Sequence, residues 1–254
     1  MPFLSTTHGT LFVAQSGQGP PLVCVHGAGG SHEYWGYQRR DLAAIGRVIA
    51  LDLPGHGRSP GEGAAQVATY SAALLAALDA LELEQAILLG HSMGGAVALW
   101  TALHAPARVR GLALLSTGAR LPVMPALFAY LEQGQFTAAV EAIVQRSFGH
   151  AAPPQARAAA RQTFLRTPPA VLSADLHACA AYTVRERLGD IACPTLVVCG
   201  DEDAVTPLKF SHTLHQQIAG AALVVVPGAG HMALLEQPEV VNAALRNFVG
   251  PIAG

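Results

Sequence analysis

The chain of 254 residues is 51% apolar and only 13% charged. That composition builds one large buried core and excludes a disordered chain. A net charge of −2 supplies no attraction for nucleic acid or for an anionic membrane surface. No apolar run approaches the roughly 20 residues needed to span a bilayer. The opening MPFLSTTHGT lacks the basic start and long apolar stretch of a signal peptide. Cys24, Cys179, Cys193 and Cys199 have neither zinc-ligand spacing nor the look of a disulfide framework, so a reducing cytoplasm is the expected setting.

In chain order, residues 10–15 and 22–26 read as strands, the second running into His26-Gly27-Ala28-Gly29-Gly30. A third strand, 48–51, ends in Leu51-Asp52-Leu53-Pro54-Gly55-His56-Gly57-Arg58-Ser59. Its glycines and strand-end aspartate fit a structural turn better than catalysis by Asp52 or His56. Residues 70–83 have helical length and composition. Strand 86–90 enters Gly90-His91-Ser92-Met93-Gly94-Gly95, a second helix covers 94–105, and strand 112–116 follows. From 121 to 187 no segment reads as a strand. Ala, Gln and Arg dominate there, and Pro153-Pro154 and Pro168-Pro169 punctuate several expected helices. Strand 195–200 leads into Gly200-Asp201-Glu202-Asp203-Ala204-Val205-Thr206-Pro207, and strand 223–227 into Gly228-Ala229-Gly230-His231-Met232. The later strands are nearly continuous apolar runs, the mark of parallel strands covered on both faces. Strands alternating with helices predict a doubly wound parallel sheet.

One loop carries a recognisable nucleophile pattern. Gly90-His91-Ser92-Met93-Gly94 is Gly-x-Ser-x-Gly between a strand and a helix. A Cβ on either flank would collide with the neighbouring strand and helix. The turn lifts the serine hydroxyl onto a helix N-terminus, where the dipole and unpaired N–H groups favour a developing negative charge. With this motif in place, the chain resembles the α/β-hydrolase superfamily, in its serine-nucleophile branch with a helical cap. The resemblance runs over essentially the whole length, through four motifs in the family's order.

The resemblance implies a mostly parallel eight-stranded sheet with helices on both faces. The core would comprise 1–120 and 188–254, and the helical cap 121–187. Ser92 would be the nucleophile, and the family's order of serine, acid, histidine selects the rest. His231, on the glycine-rich loop after the last strand, would be the base. Asp203 matches the aspartate of the family's Gly-x-x-Asp-x-x-x-Pro loop, with Asp201 its nearest competitor and Glu202 less favoured. The His26–Gly30 segment resembles the family's oxyanion loop. The oxyanion would be held by the backbone N–H groups of Met93 and Ala28, with Gly29 as fallback for the latter. His26 itself would hold the loop. No metal and no cofactor is implied.

A substrate pocket is expected from Gly29, Met124, Leu127, Phe128, Val205 and Met232. Trp35 and Trp100 read as core. His32 and Glu33 read as solvent-exposed. Arg157, Arg161 and Arg166 read as a solvated cap face that would alternatively attract an acidic substrate. The expected partner is a small-molecule ester or related carbonyl compound, with no nucleic acid or membrane, bound by a monomer or small homo-oligomer. Serine at the nucleophile position separates the chain from epoxide hydrolases and haloalkane dehalogenases, which place aspartate there. The favoured activity is hydrolysis of a carboxylic ester or lactone. A carbon–carbon bond hydrolase or enol-lactonase of aromatic breakdown is the second reading, and a non-catalytic ligand-binding protein the third.

Overall fold

A computed structural model describes residues 2–253. Eight strands form one sheet: β1 (Phe3–Thr6), β2 (Gly9–Ser16), β3 (Pro21–Val25), β4 (Arg47–Leu51), β5 (Ala86–His91), β6 (Val109–Leu115), β7 (Thr195–Gly200) and β8 (Ala222–Val226). Their spatial order is β1-β2-β4-β3-β5-β6-β7-β8. The pairs β1/β2 and β2/β4 are antiparallel, and every other pair is parallel. Strand β1 carries no sustained apolar run: only Phe3 and Leu4 of FLST are apolar, and the four residues alternate between exposed and half-buried at the sheet's edge. Its register comes from the antiparallel pairing with β2.

Ten α-helices accompany the sheet among the described residues: α1 (Gly36–Leu42), α2 (Val67–Ala80), α3 (Met93–His104), α4 (Pro125–Glu132), α5 (Phe136–Ser147), α6 (Pro154–Arg166), α7 (Pro169–Ala181), α8 (Lys209–Gln217), α9 (Ala233–Glu236) and α10 (Pro238–Ala253). The helix expected over 70–83 therefore starts and ends three residues earlier. Its stop is a Schellman turn. Glu82 adopts φ +55, its N–H donates to the Asp79 carbonyl, and the Leu83 N–H reaches back to Leu78. Those bonds satisfy carbonyls that the helix end would otherwise strand.

The continuous apolar strands serve two cores at once, since successive side chains point to opposite faces. Val23 and Val25 join α2 and α3 residues such as Tyr70, Leu74 and Leu99. Leu22 and Cys24 face the other way, toward Leu42, Val241 and Leu245. That second core continues into α4–α7 through Leu127, Val140, Phe164 and Leu172. The excursion carrying α4–α7 leaves after β6 and returns before β7. It is closed at its base by an antiparallel bridge between Arg120 and Thr183 and by the Val184 N–H donating to the Ala119 carbonyl. No helix among the described residues is long and apolar enough to cross a membrane.

Candidate active site

Parallel strands end on one edge of a sheet, and here the loops after β3, β5, β7 and β8 meet there, under α4–α7. Between them lies a cavity of about 440 Å³. Ser92 sits at the turn from β5 to α3 with φ 53 and ψ −117. A side-chain-bearing residue held so far from the allowed regions stores about 1–3 kcal/mol. The surroundings hold it there. Its N–H donates to Leu115, and its carbonyl accepts from Thr117 Oγ1 at 2.7 Å and from the N–H groups of Gly95 and Ala96. A Cβ on Gly90 would lie 2.4 Å from the Gly94 carbonyl, and one on Gly94 would lie 2.1 Å from the Val25 carbonyl. The turn therefore accepts only glycine on its flanks.

His231, on the loop after β8, lines the same cavity as Ser92. Its Nδ1 donates to Asp203 Oδ2 at 2.9 Å. Asp203 lies on the loop after β7 and is itself buried. Its Oδ1 accepts the Val205 and Thr206 N–H groups, and its Oδ2 also accepts the Thr206 hydroxyl. Burial alone would raise the Asp203 carboxyl. The facing His231 and the Thr206 hydrogen bonds outweigh it and hold the group below the ordinary carboxylate range. With Nδ1 committed as a donor, the other ring nitrogen of a neutral His231 is an acceptor. Asp201 and Glu202 do not approach this imidazole: Asp201 accepts from the Gly228 N–H, and Glu202 pairs with His150.

Two further buried histidines hold the loops of the site in place. His91 Nε2 donates to the His231 carbonyl at 3.0 Å, pinning that loop. Burial, assisted by the nearby His231, lowers His91 to about 3, so it stays neutral. His26 donates from Nδ1 to the Gly27 carbonyl and accepts the Leu53 N–H at Nε2, so it ties the loop after β3 to the loop after β4. Burial, with His56 nearby, lowers it to about 4.

The loop after β3 presents Ala28 to the cavity. Neither the Ala28 N–H nor the Met93 N–H has a hydrogen-bond partner among the described residues. The Met93 N–H is the first of the orphan donors that open α3. Gly29 is placed differently. It adopts φ +61, its N–H donates to Asp175 Oδ2 at 2.8 Å, and a Cβ there would strike the Phe164 ring at 2.6 Å. A committed N–H cannot also serve an oxyanion, and Gly29 does not line the cavity.

Of the other expected pocket residues, Met124, Leu127, Val205 and Met232 line the cavity. Phe128 does not; its ring packs on His177 with centroids 4.8 Å apart. Trp35 is fully buried, and Trp100 is half-buried and stacked on His104. His32 is no bystander, because its N–H and Nδ1 both donate to the buried Asp52. Burial opposes ionisation of Asp52, but His32, His26 and the Arg58 N–H together keep its carboxyl below the ordinary range. Glu33 is exposed yet bonded to Arg166 and Thr163 of α6. Arg161 pairs with Glu141, and Arg157 donates to the Gly149 carbonyl and lies over Phe148. None of Arg157, Arg161 and Arg166 faces the cavity.

The sequence reading missed Asp175. This α7 residue is fully buried. It accepts from the Gly29 N–H, from His56 Nε2 at 2.8 Å and from the Tyr70 hydroxyl. His56 Nδ1 faces the Pro54 carbonyl at 3.1 Å. Both ring nitrogens thus meet acceptors, which suits a doubly protonated imidazolium. Burial would lower His56, but Asp175 outweighs it and the group is raised. The signal was present. Val171, Leu172, Leu176 and Cys179 form the buried stripe of α7, and Asp175 falls inside it. A lone acid in an apolar stripe requires a buried partner.

A family model described as the alpha/beta hydrolase fold matches residues 20–238. The chain is 35% identical to the dihydrolipoyllysine-residue acetyltransferase component of the acetoin cleaving system of Pseudomonas putida, over 91% of its own length; it spans 64% of that relative. It is 31% identical to a pimeloyl-acyl-carrier-protein methyl ester esterase of Neisseria meningitidis serogroup B, over 90% of this chain and 92% of the esterase. Among solved structures, a thermophilic esterase from Thermogutta terrifontis superposes with a TM-score of 0.90 at 30% identity, covering 99% of this chain and 98% of that one.

Proposed function

The chain belongs to the alpha/beta hydrolase family, and from that premise we propose that it is a serine hydrolase cleaving a small-molecule carboxylic ester or lactone. The observation that carries this reading is the Asp203–His231 hydrogen bond of 2.9 Å beside the cavity that the strained Ser92 enters. The esterases among its relatives support the same class of chemistry.

Ser92 Oγ attacks the carbonyl carbon while His231 Nε2 takes the hydroxyl proton. Asp203 holds the imidazole in the required tautomer and stabilises the cation that forms. The Ala28 and Met93 N–H groups receive the oxyanion of the tetrahedral adduct. His231 returns the proton to the leaving alkoxide, which departs and leaves an acyl ester on Ser92. Water, deprotonated by His231, then releases the acid and restores the serine. In this reading residues 121–187 form the cap that walls the acyl site, over a core of 1–120 and 188–254.

The test is hydrolysis of p-nitrophenyl acetate and butyrate, with a serine-reactive phosphonate as probe. The wild type is expected to turn over and to be labelled at Ser92. Ser92→Ala is expected to keep at most a residual rate about 10³–10⁴-fold above water. Turnover of Ser92→Ala at the wild-type rate, or a wild type neither active nor labelled, overturns the proposal.

A further inference from the structure

The cavity is apolar within and cationic at its mouth. Arg120, Arg146 and Lys209 line it from three different segments, and all three are exposed. Lys209 is the only lysine in the chain. The Arg120 guanidinium lies 5.2 Å, and the Lys209 ammonium 5.8 Å, from the centroid of the same Phe210 ring. Arg146 donates to the Ala204 carbonyl at 2.7 Å. Their heads are therefore supported by an aromatic face and a carbonyl, arrangements that restrain a long side chain without neutralising it.

What these cations lack is a counterion. Arg108, Arg161, Arg166, Arg187 and Arg246 each pair with a carboxylate, whereas none of the three rim cations does among the described residues. No Asp or Glu lines the cavity. The acids of the adjoining loop are engaged elsewhere: Asp201 with the Gly228 N–H, Glu202 with His150, and Asp203 with His231 and Thr206. A chain of net charge −2 thus places three unpaired positive charges around the entrance to an apolar cleft. Such a cleft concentrates the field and draws in anions. Behind the rim, Val123, Met124, Ile143, Leu176 and Val205 offer no group that would satisfy a buried charge.

Resting on the reading of Ser92 as nucleophile, we propose that the substrate is an ester bearing a free carboxylate, joined through an apolar segment to the carbonyl that Ser92 attacks. The apolar segment fills the inner cavity, and the carboxylate stays at the wet mouth against Arg120, Arg146 and Lys209.

The test compares matched esters by pH-stat at low and high NaCl. Monomethyl adipate carries the carboxylate on the acyl side, with methyl hexanoate as its neutral counterpart. 6-(Butyryloxy)hexanoate carries it on the alcohol side, with hexyl butyrate as counterpart. In the wild type at least one acid is expected to exceed its neutral counterpart about tenfold in kcat/KM, through KM, and the advantage shrinks with salt. In the triple variant Arg120→Gln, Arg146→Gln, Lys209→Gln the ratio is expected to fall to about one. Single variants serve if circular dichroism shows the triple variant to be unfolded. A wild type without preference for either acid, or a preference that survives the substitutions, overturns the proposal. If none of these esters is cleaved, labelling of Ser92 by the phosphonate decides the reading of Ser92, and adipate binding decides the rim by calorimetry. Salt-sensitive binding lost in the triple variant supports it, and no binding at about 10 mM adipate overturns it.

Discussion

Asp203 shows how much a single carboxylate is asked to do. It accepts four hydrogen bonds, from two N–H groups, a hydroxyl and an imidazole. Asp203→Asn keeps the shape and removes the charge, leaving the imidazole free to take the wrong tautomer. The expected result is a loss of kcat on the order of 10⁴-fold with little change in KM, measured on p-nitrophenyl butyrate. The same substitution has a pH signature. A carboxyl held below its ordinary value stabilises the folded chain above that value, and the contribution is lost as pH falls through the depressed folded value. Urea titrations between about pH 6 and pH 3 are therefore expected to show a shallower decline in Asp203→Asn than in the wild type. A parallel decline would mean that Asp203 does not carry the shift.

At the scale of elements, α7 is locked to the loop after β3 through one buried residue. Asp175 binds the N–H of Gly29, next to Ala28, and faces His56 and Tyr70. Removing one partner of a buried ion pair leaves the other uncompensated, at about 3–5 kcal/mol. Asp175→Asn is expected to lose stability in that range and, by loosening Gly29, to lower kcat as well. The pH dependence has the opposite sign to that of Asp203. A histidine raised in the folded state contributes fully below its unfolded value of about 6.5, and the contribution fades as pH rises through the raised folded value. Urea midpoints are expected to decline on the alkaline side in the wild type and to flatten in Asp175→Asn. An unchanged slope would place the shift on another group. The helix itself was legible only as helix, because no local pattern states which partner a buried acid will meet 119 residues away in the chain.

At the scale of the molecule, α4–α7 and the sheet share one apolar core, in which Phe164 and Leu172 join Leu22 and Leu89. Elements that share a core unfold together. Both tryptophans lie outside α4–α7, at 35 and 100. Their fluorescence therefore follows the sheet-packed part, while far-ultraviolet circular dichroism also counts α4–α7. The two urea curves are expected to coincide, and separate midpoints would show the excursion melting alone.

By itself the sequence determined seven of the eight strands, because apolar runs of strand length, bounded by turn residues and too short for a helix, suit burial on both faces of a sheet. It also marked the loops after β5, β7 and β8 as places for site residues, because glycines and strand ends stand there, while the choice of Asp203 over Asp201 and Glu202 came from the resemblance to the family's loop. It did not determine β1, whose order comes from pairing, nor the end of α2, just beyond which Glu82 adopts a left-handed backbone. It placed Gly29 and Phe128 at the cavity wall, where neither stands, and it read Arg157, Arg161 and Arg166 as a solvated cap face without singling out Arg120, Arg146 and Lys209, which line the cavity. Those were decided only in the tertiary structure. Whether a cation is paired, or an N–H already taken, depends on residues distant in the chain that folding brings within about 3 Å of one another.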